Sequence, residues 1–160
     1  MKRKLELQKG FTLLELMITI AIIGILAAIA IPNFISFREK SKIAHAESEI
    51  EGLEFAVTNL MYDTNMWPSG NPVGHPSSAG DEIWDLSHPA AGLIANDGGW
   101  IEWSGPYFTE VPTDPWGNDY FFDEDYDLDG TDYVVIGSFG PNGVGQNLYD
   151  EDDIIIVIVR

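Results

Sequence analysis

Hydrophobic and polar positions change their rhythm several times along the chain. Residues 1–10 are short, polar and basic. Phe11 to Phe37 is almost wholly apolar, interrupted by Thr12, Glu15, Thr19, Asn33 and Ser36. That run exceeds the ~20 residues a membrane-spanning helix needs. Beyond it, apolar residues recur at Ile43, Ala46, Ile50, Leu53, Val57 and Leu60, three and four apart. Lys40, Lys42, Glu47, Glu49, Glu51 and Glu54 fall on the opposite side. Such spacing predicts an amphipathic helix with one buried stripe. The helix should stop before Trp67-Pro68, because the residue ahead of a proline avoids helical geometry.

The second half of the chain has shorter periods. Pro68 to Gly99 is rich in Pro, Gly, Ser, Asn and Asp, and reads as a long connection with one short helical piece near Asp81 to Leu86. Trp67, Trp84, Trp100 and Trp103 could form a sugar-binding platform, but aromatics more often close the core of a small domain. Asp114-Pro115 and Gly117-Asn118 are turn signals. Strands are predicted at Tyr120–Phe122, Tyr133–Ser138 and Ile154–Val159. The fold class is therefore α+β: a long N-terminal helix, half membrane stem and half amphipathic, packed on a small C-terminal antiparallel sheet. The divisions are 1–10, 11–37, 38–64, 65–104 and 105–160. Ile154 to Val159 has no polar alternation, so both of its faces need cover.

Charge sharpens the reading of the N-terminus. Lys2, Arg3, Lys4 and Lys9 precede the apolar run, which predicts a cytoplasmic N-terminus and a single pass. An ordinary signal peptide would carry a small-residue cleavage site after its apolar region. Here the apolar run leads instead into Pro32-Asn33-Phe34 and a charged helix. Glu15 is the informative residue. A carboxylate inside an apolar span is costly and marks function by default, and no Lys, Arg or His lies between Phe11 and Phe37. A cut between Gly10 and Phe11 would create a cationic amine on Phe11, able to neutralise Glu15 of the same or a neighbouring copy. Snorkelling at the membrane edge is the plainer alternative.

Lys9-Gly10-Phe11-Thr12-Leu13-Leu14-Glu15-Leu16 resembles the processing motif of type IV pilins and type II secretion pseudopilins. Ile18 to Phe34 resembles the same family, Gly24 and Pro32 included. The resemblance implies cleavage after Gly10 by a prepilin peptidase, N-methylation of Phe11, and alignment of an incoming subunit by Glu15. It also implies the pilin fold. Gly24 and Pro32 are the weak points of the stem. Pro32 cannot donate to residue 28, which favours a kink or local unwinding there. We expect the Gly24–Pro32 stretch to extend when subunits leave the bilayer. Gly105 to Tyr120, with its Asp-Pro-Trp-Gly run, resembles the segment leading into the first strand of the major pseudopilin.

From Phe11 onward, four basic residues stand against 25 acidic ones, a net of −21. Such a surface repels phosphate, so nucleic acid is not an expected partner. It suits hard cations. There are no cysteines, so neither disulfides nor thiolate metal sites can brace the fold. His45, His75 and His88 are too dispersed for a metal cluster and read as structural or solvated. Two acidic stretches are calcium candidates. Asp125, Asp127, Asp129 and Gly130 reproduce the first half of an EF-hand loop, with Asp132 as a further ligand, although the twelfth position is Ile136. In the other, Asp150 to Asp153 are four acids in a row ahead of a strand, and a divalent ion would relieve their repulsion. This second loop resembles the calcium loop of major pseudopilins. By that resemblance Asn142 stands where the family has aspartate, Asp152 and Asp153 match paired aspartates, carbonyls near Phe139 complete the set, and Asp150 compensates for Asn142. A solvated acidic turn is the alternative for either loop.

No nucleophile elbow, phosphate loop, histidine metal motif or acid–base pair is present, so the chain is not expected to be an enzyme. The expectation is a structural subunit of a helical filament, most like the major pseudopilin of type II secretion. A major type IV pilin, for adhesion, motility or DNA uptake, is the alternative. A calcium-dependent adhesin using the Pro68–Gly99 loop is a third reading. The implied partners are other copies, a prepilin peptidase, the inner-membrane assembly platform and minor pilins or pseudopilins. The implied site is the bacterial inner membrane, with a periplasmic or extracellular filament.

Overall fold

The computed structural model describes residues 10–76, 80, 82–146 and 148–159. The leader before Gly10 and Asp81 lie outside these residues. The chain separates into two compact units, 1–40 and 41–160. One helix, α1 (Leu13–Thr64, 52 residues), contributes to both.

In the first unit α1 is apolar all round. Its best 18-residue window has a mean hydropathy of 2.6 and none of it is buried. The helix continues without interruption through Gly24 and Pro32, so the local unwinding expected at Pro32 is absent from this subunit. A single proline removes one backbone bond, and the surrounding Ile, Leu and Ala residues supply the rest of the ladder.

In the second unit the amphipathic stripe does what its spacing dictates. Ala46, Ile50, Leu53, Ala56, Val57 and Leu60 are buried, and Ile43 is partly so. The helix stops at Thr64. Asn65 then adopts φ 55°, and its N–H donates to the Met61 carbonyl at 2.8 Å. This is a left-handed cap, for which Asn is suited after Gly. The Asp63 carboxylate accepts from Ser104 and, at 2.7 Å, from the Tyr107 hydroxyl, tying the 104–107 segment to the helix end.

Three antiparallel strands follow in the order β1 (Phe121–Leu128), β2 (Thr131–Ser138), β3 (Ile154–Val159). β1 is longer than predicted, because its acidic half is strand and not loop. Asp129 and Gly130 both have positive φ, 56° and 78°, the geometry that closes a two-residue hairpin and matches strand twist. The inner face sets Tyr120, Phe122, Ile136, Ile154, Ile156 and Ile158 against the helix stripe. The outer face gathers Phe121, Tyr126, Val135 and Ile155 with Trp84, Phe139 and Tyr149. Val157 and Val159 remain exposed on the β3 edge.

The long connection is part of the core. Leu86, Ala91, Leu93, Trp67 and Trp100 are buried, and Trp84 and Trp103 are partly buried against the core. Of the piece expected to be helical near Asp81 to Leu86, the described residues 82–86 are not helical. Ile83 exchanges backbone bonds with Phe122, both 2.8 Å, and Leu86 donates to Tyr120, so the free edge of β1 is covered. The helical turn comes later, at Pro89–Ala91. Gly92 ends it at φ 72°, where a Cβ would lie 2.7 Å from the Trp100 ring.

Two buried acids organise the head. Asp114 accepts from the backbone N–H groups of Trp116 and Asn118 at 2.9 and 2.8 Å, and from the Ser138 hydroxyl at 2.6 Å. It thereby locks the Asp-Pro-Trp-Gly turn to the end of β2, while Lys42 of the helix sits 5.3 Å from the Trp116 ring centre. Asp123 is fully buried on the outer face and accepts from Tyr149 at 3.0 Å and from the Asp125 N–H at 2.8 Å. Burial, with Asp125 alongside, pushes its carboxyl up to about 7.

Asp114→Ala should lower the unfolding free energy by about 2–3 kcal/mol in urea titration, since it strands a buried hydroxyl and two amides. Ser138→Ala should cost less. The raised Asp123 value gives a pH dependence. The folded state holds this proton above the ordinary carboxylate range, so stability is present at low pH and lost as pH rises to about 7. The melting temperature should fall on the order of 5 °C between pH 5 and 8, and Asp123→Asn should flatten that slope.

Candidate functional site

The N-terminal site is built from an exposed dipeptide and the first helical turn. Gly10 and Phe11 lie in irregular backbone ahead of α1, and Phe11 is 89% exposed. A peptidase needs such an unfolded, accessible bond. Glu15 sits in the first turn, and its Oε2 accepts from the Thr12 N–H at 2.8 Å and from the Thr12 hydroxyl at 2.9 Å. The Glu15 N–H donates back to Thr12 Oγ1 at 3.2 Å. This is a reciprocal capping box. Thr12 was not singled out from the sequence, although Thr-x-x-Glu ahead of an apolar run is the signal for it. The cap holds the Glu15 carboxylate one residue from the nitrogen that cleavage would free on Phe11. Gly24 and Pro32 lie further along the same exposed helix, and no atom lies within 4 Å of a Cβ built on Gly24.

The two acidic stretches are arranged differently from one another. Asp125, Asp127, Asp129 and Asp132 do not form the ion-binding loop expected of them. They line a β-hairpin in which Asp127 pairs directly with Asp132 and Asp129 occupies the turn. Asp127 and Asp132 therefore share one face of the hairpin, and the four carboxylates form no metal-sized group. The Gly130 N–H caps Asp127 at 2.6 Å.

The β2–β3 loop does gather its residues. Asn142 Nδ2 donates to Asp150 Oδ2 at 2.9 Å, and Asp150 Oδ1 accepts the Asp152 N–H at 2.9 Å. Asp153 Oδ2 accepts the Tyr126 hydroxyl at 2.8 Å, while its Oδ1 is buried with no hydrogen-bond partner among the described residues. Burial pushes the Asp153 carboxyl up, and Asp150 and Asp152 add repulsion. Gly140 lets the loop ends meet, since a Cβ there would lie 1.9 Å from the Asp152 carbonyl oxygen. Phe139 is spent in the outer core, its ring 4.6 Å from that of Phe121. The oxygen-only donor set and the unsatisfied Asp153 oxygen suit a hard cation such as calcium. Among the described residues, however, no three acidic or histidine side chains form a metal-sized cluster.

Sequence comparison follows the same division of the chain. The prokaryotic N-terminal methylation motif matches residues 7–31, and the type II secretion system (T2SS) protein G profile matches residues 88–156. The chain is 34% identical over 152 residues to the type II secretion system core protein G of Escherichia coli strain K12, covering 95% of this chain and 92% of that one. The corresponding protein of Vibrio cholerae is 32% identical over 143 residues, 88% of each chain. The type IV major pilin protein PilE1 of Neisseria gonorrhoeae is 47% identical over 75 residues, but the match spans only 35% of that protein. The pilin likeness is thus partial, whereas the likeness to protein G runs through almost the whole chain, and the chain belongs to the type II secretion system protein G family of pilin-like subunits.

Proposed function

We infer that this chain is a structural subunit of a helical filament, the major pseudopilin of a type II protein secretion system. The observation that carries this reading is the exposed apolar half of α1 on a folded head. That half must be covered by lipid before assembly and by the stems of other copies afterwards. The capped Glu15 supports the reading. Held at the first turn, it is placed to meet the new amine of Phe11 on its own or a neighbouring copy once the leader is removed. A prepilin peptidase, an inner-membrane assembly platform and minor pseudopilins are the proposed partners, and the inner membrane with a cytoplasmic N-terminus is the proposed starting location. A surface pilus is the second reading, favoured by the partial identity to type IV major pilins. The protein G match over residues 88–156 weighs against it. An adhesin is a third reading; Leu86, Ala91 and Leu93 tie part of the 68–99 connection to the core, while 74–76 and 96–99 are exposed.

Calcium is part of the proposal. Asp150, Asp152 and Asp153 would hold it, with carbonyls near Phe139, and Asn142 would act through its link to Asp150. The ion would supply positive charge to a loop of four consecutive acids and hold the start of β3 in place.

Mass spectrometry of the membrane-extracted protein should find an N-methylated Phe11 terminus. Glu15→Gln should leave that processing intact and reduce filament yield by at least about tenfold, the cost of losing one desolvated charge pair. Normal filaments from this variant would refute the role given to Glu15. Calcium at a hundred times its dissociation constant should stabilise the head by about 2.7 kcal/mol, read as a rise in melting temperature. Asp153→Asn should abolish the rise. No shift at millimolar calcium would leave the loop as a self-bonded acidic turn.

A further inference from the structure

The mature sequence has three basic residues close together, Arg38, Lys40 and Lys42, and one more at its end, Arg160. Against 25 acids, intrachain pairing should be easy, yet Arg38 and Lys40 have no acid where a helix would bring one alongside. Side chains meet three and four positions apart, and for Arg38 those positions are Phe34, Ile35, Ser41 and Lys42. For Lys40 they are Ser36, Phe37, Ile43 and Ala44. None is acidic. Arg38 and Lys40 are exposed, while Lys42 is half-buried beside Trp116.

We propose that the Arg38–Lys40 segment of the stem is a docking surface for the head of a second copy, specifically for the hairpin tip carrying Asp127, Asp129 and Asp132. The proposal rests on the filament reading and names a contact within it. Charge complementarity selects the occupant. Copies carrying −21 each repel when they assemble, and in a filament of identical chains the only side-chain cations are these few. The hairpin tip is chosen over the β2–β3 loop because in that loop Asp150 already holds Asn142 and the Asp152 N–H, and Asp153 holds the Tyr126 hydroxyl. The tip has like charges directly opposed, Asp127 against Asp132, an arrangement that costs stability unless a cation stands near. All three of its aspartates are exposed, and Asp127 accepts the Gly130 N–H at 2.6 Å.

The absence of cysteine permits a clean test in the full chain, assembled in its membrane with its own machinery. Lys40→Cys with Asp129→Cys, treated with a short bis-maleimide, should give a ladder of cross-linked copies. Lys40→Cys with Ile101→Cys, an exposed position off the tip, should give only background. Charge reversal is the second arm. Arg38→Glu/Lys40→Glu and Asp127→Lys/Asp129→Lys should each cut filament yield about tenfold, and the four changes together should restore it to within about threefold. Unimpaired filaments from either reversed chain, or a defect that the combined chain does not rescue, overturn the proposal. So does a defect reproduced in the unsubstituted chain by depleting anionic phospholipid, which would make the segment a headgroup contact. Intact filaments without the ladder defeat this contact alone. No filaments from the unsubstituted chain defeat the filament reading with it.

Discussion

The structure depends on the burial of one helical stripe against one sheet face. Ile50, Leu53, Val57 and Leu60 have no exposed surface, and neither do Tyr120, Phe122 and Ile136 opposite them. Fully burying side chains of this size contributes about 1.5–3 kcal/mol each, more than a typical hydrogen bond between neutral groups. Everything else is arranged around that contact. The 65–104 connection closes its rim with Trp67, Trp100 and Leu93, and Glu49 on the helix accepts the Tyr120 hydroxyl at 2.5 Å. A sheet of three short strands would be marginal alone. Here the helix and the segment at Ile83–Leu86 cover what the sheet cannot.

The same helix carries a second surface that the head does not use. Residues in the run from Phe11 to Phe37 are exposed almost without exception. In water this would be an aggregation hazard, and in lipid or among other stems it is the natural state. The N-terminal turn is consistent with that destination. Four amides at a helix start lack partners, and in hydrocarbon that deficit is severe. Thr12 and Glu15 answer part of it within the chain. The acid that looks misplaced in an apolar span is therefore already engaged in the uncut protein, and it need not wait for its partner amine to be tolerated.

Much of the fold was legible in the sequence because its signals are local. The helical stripe, the cap beyond Thr64 and the last two strands follow from spacing and turn chemistry. What was not legible depends on pairing at a distance. The acidic run 123–128 reads as a loop because carboxylates are poor strand formers. It becomes strand because Asp129-Gly130 closes a hairpin and β2 supplies the ladder. The Asp114–Ser138 bond spans 24 residues, and nothing in either local sequence announces it. Asp123 is similar, since its burial follows from Tyr149 and Trp84 arriving from separate loops. The N-terminal methylation motif could be read outright, its residues being contiguous. The approach of Asn142, Asp150 and Asp153 could not, since it is set by loop closure.

Lack of cysteine leaves the loop between β2 and β3 to be held by weaker means, and the structure shows what those are. Phe139 anchors one end in the outer core, Tyr126 anchors the other through Asp153, and the Asn142 amide bridges to Asp150 between them. An aspartate at position 142 would face Asp150 as a like charge and make the loop dependent on a cation. The amide turns that repulsion into a hydrogen bond. Asn142 thus removes one source of repulsion from the loop, while Asp153 keeps one buried oxygen without a hydrogen-bond partner among the described residues. A cation here has less repulsion to offset than four adjacent acids suggest. Its main effect would fall on Asp153 and, through the Tyr126 hydroxyl, on the outer face of the sheet.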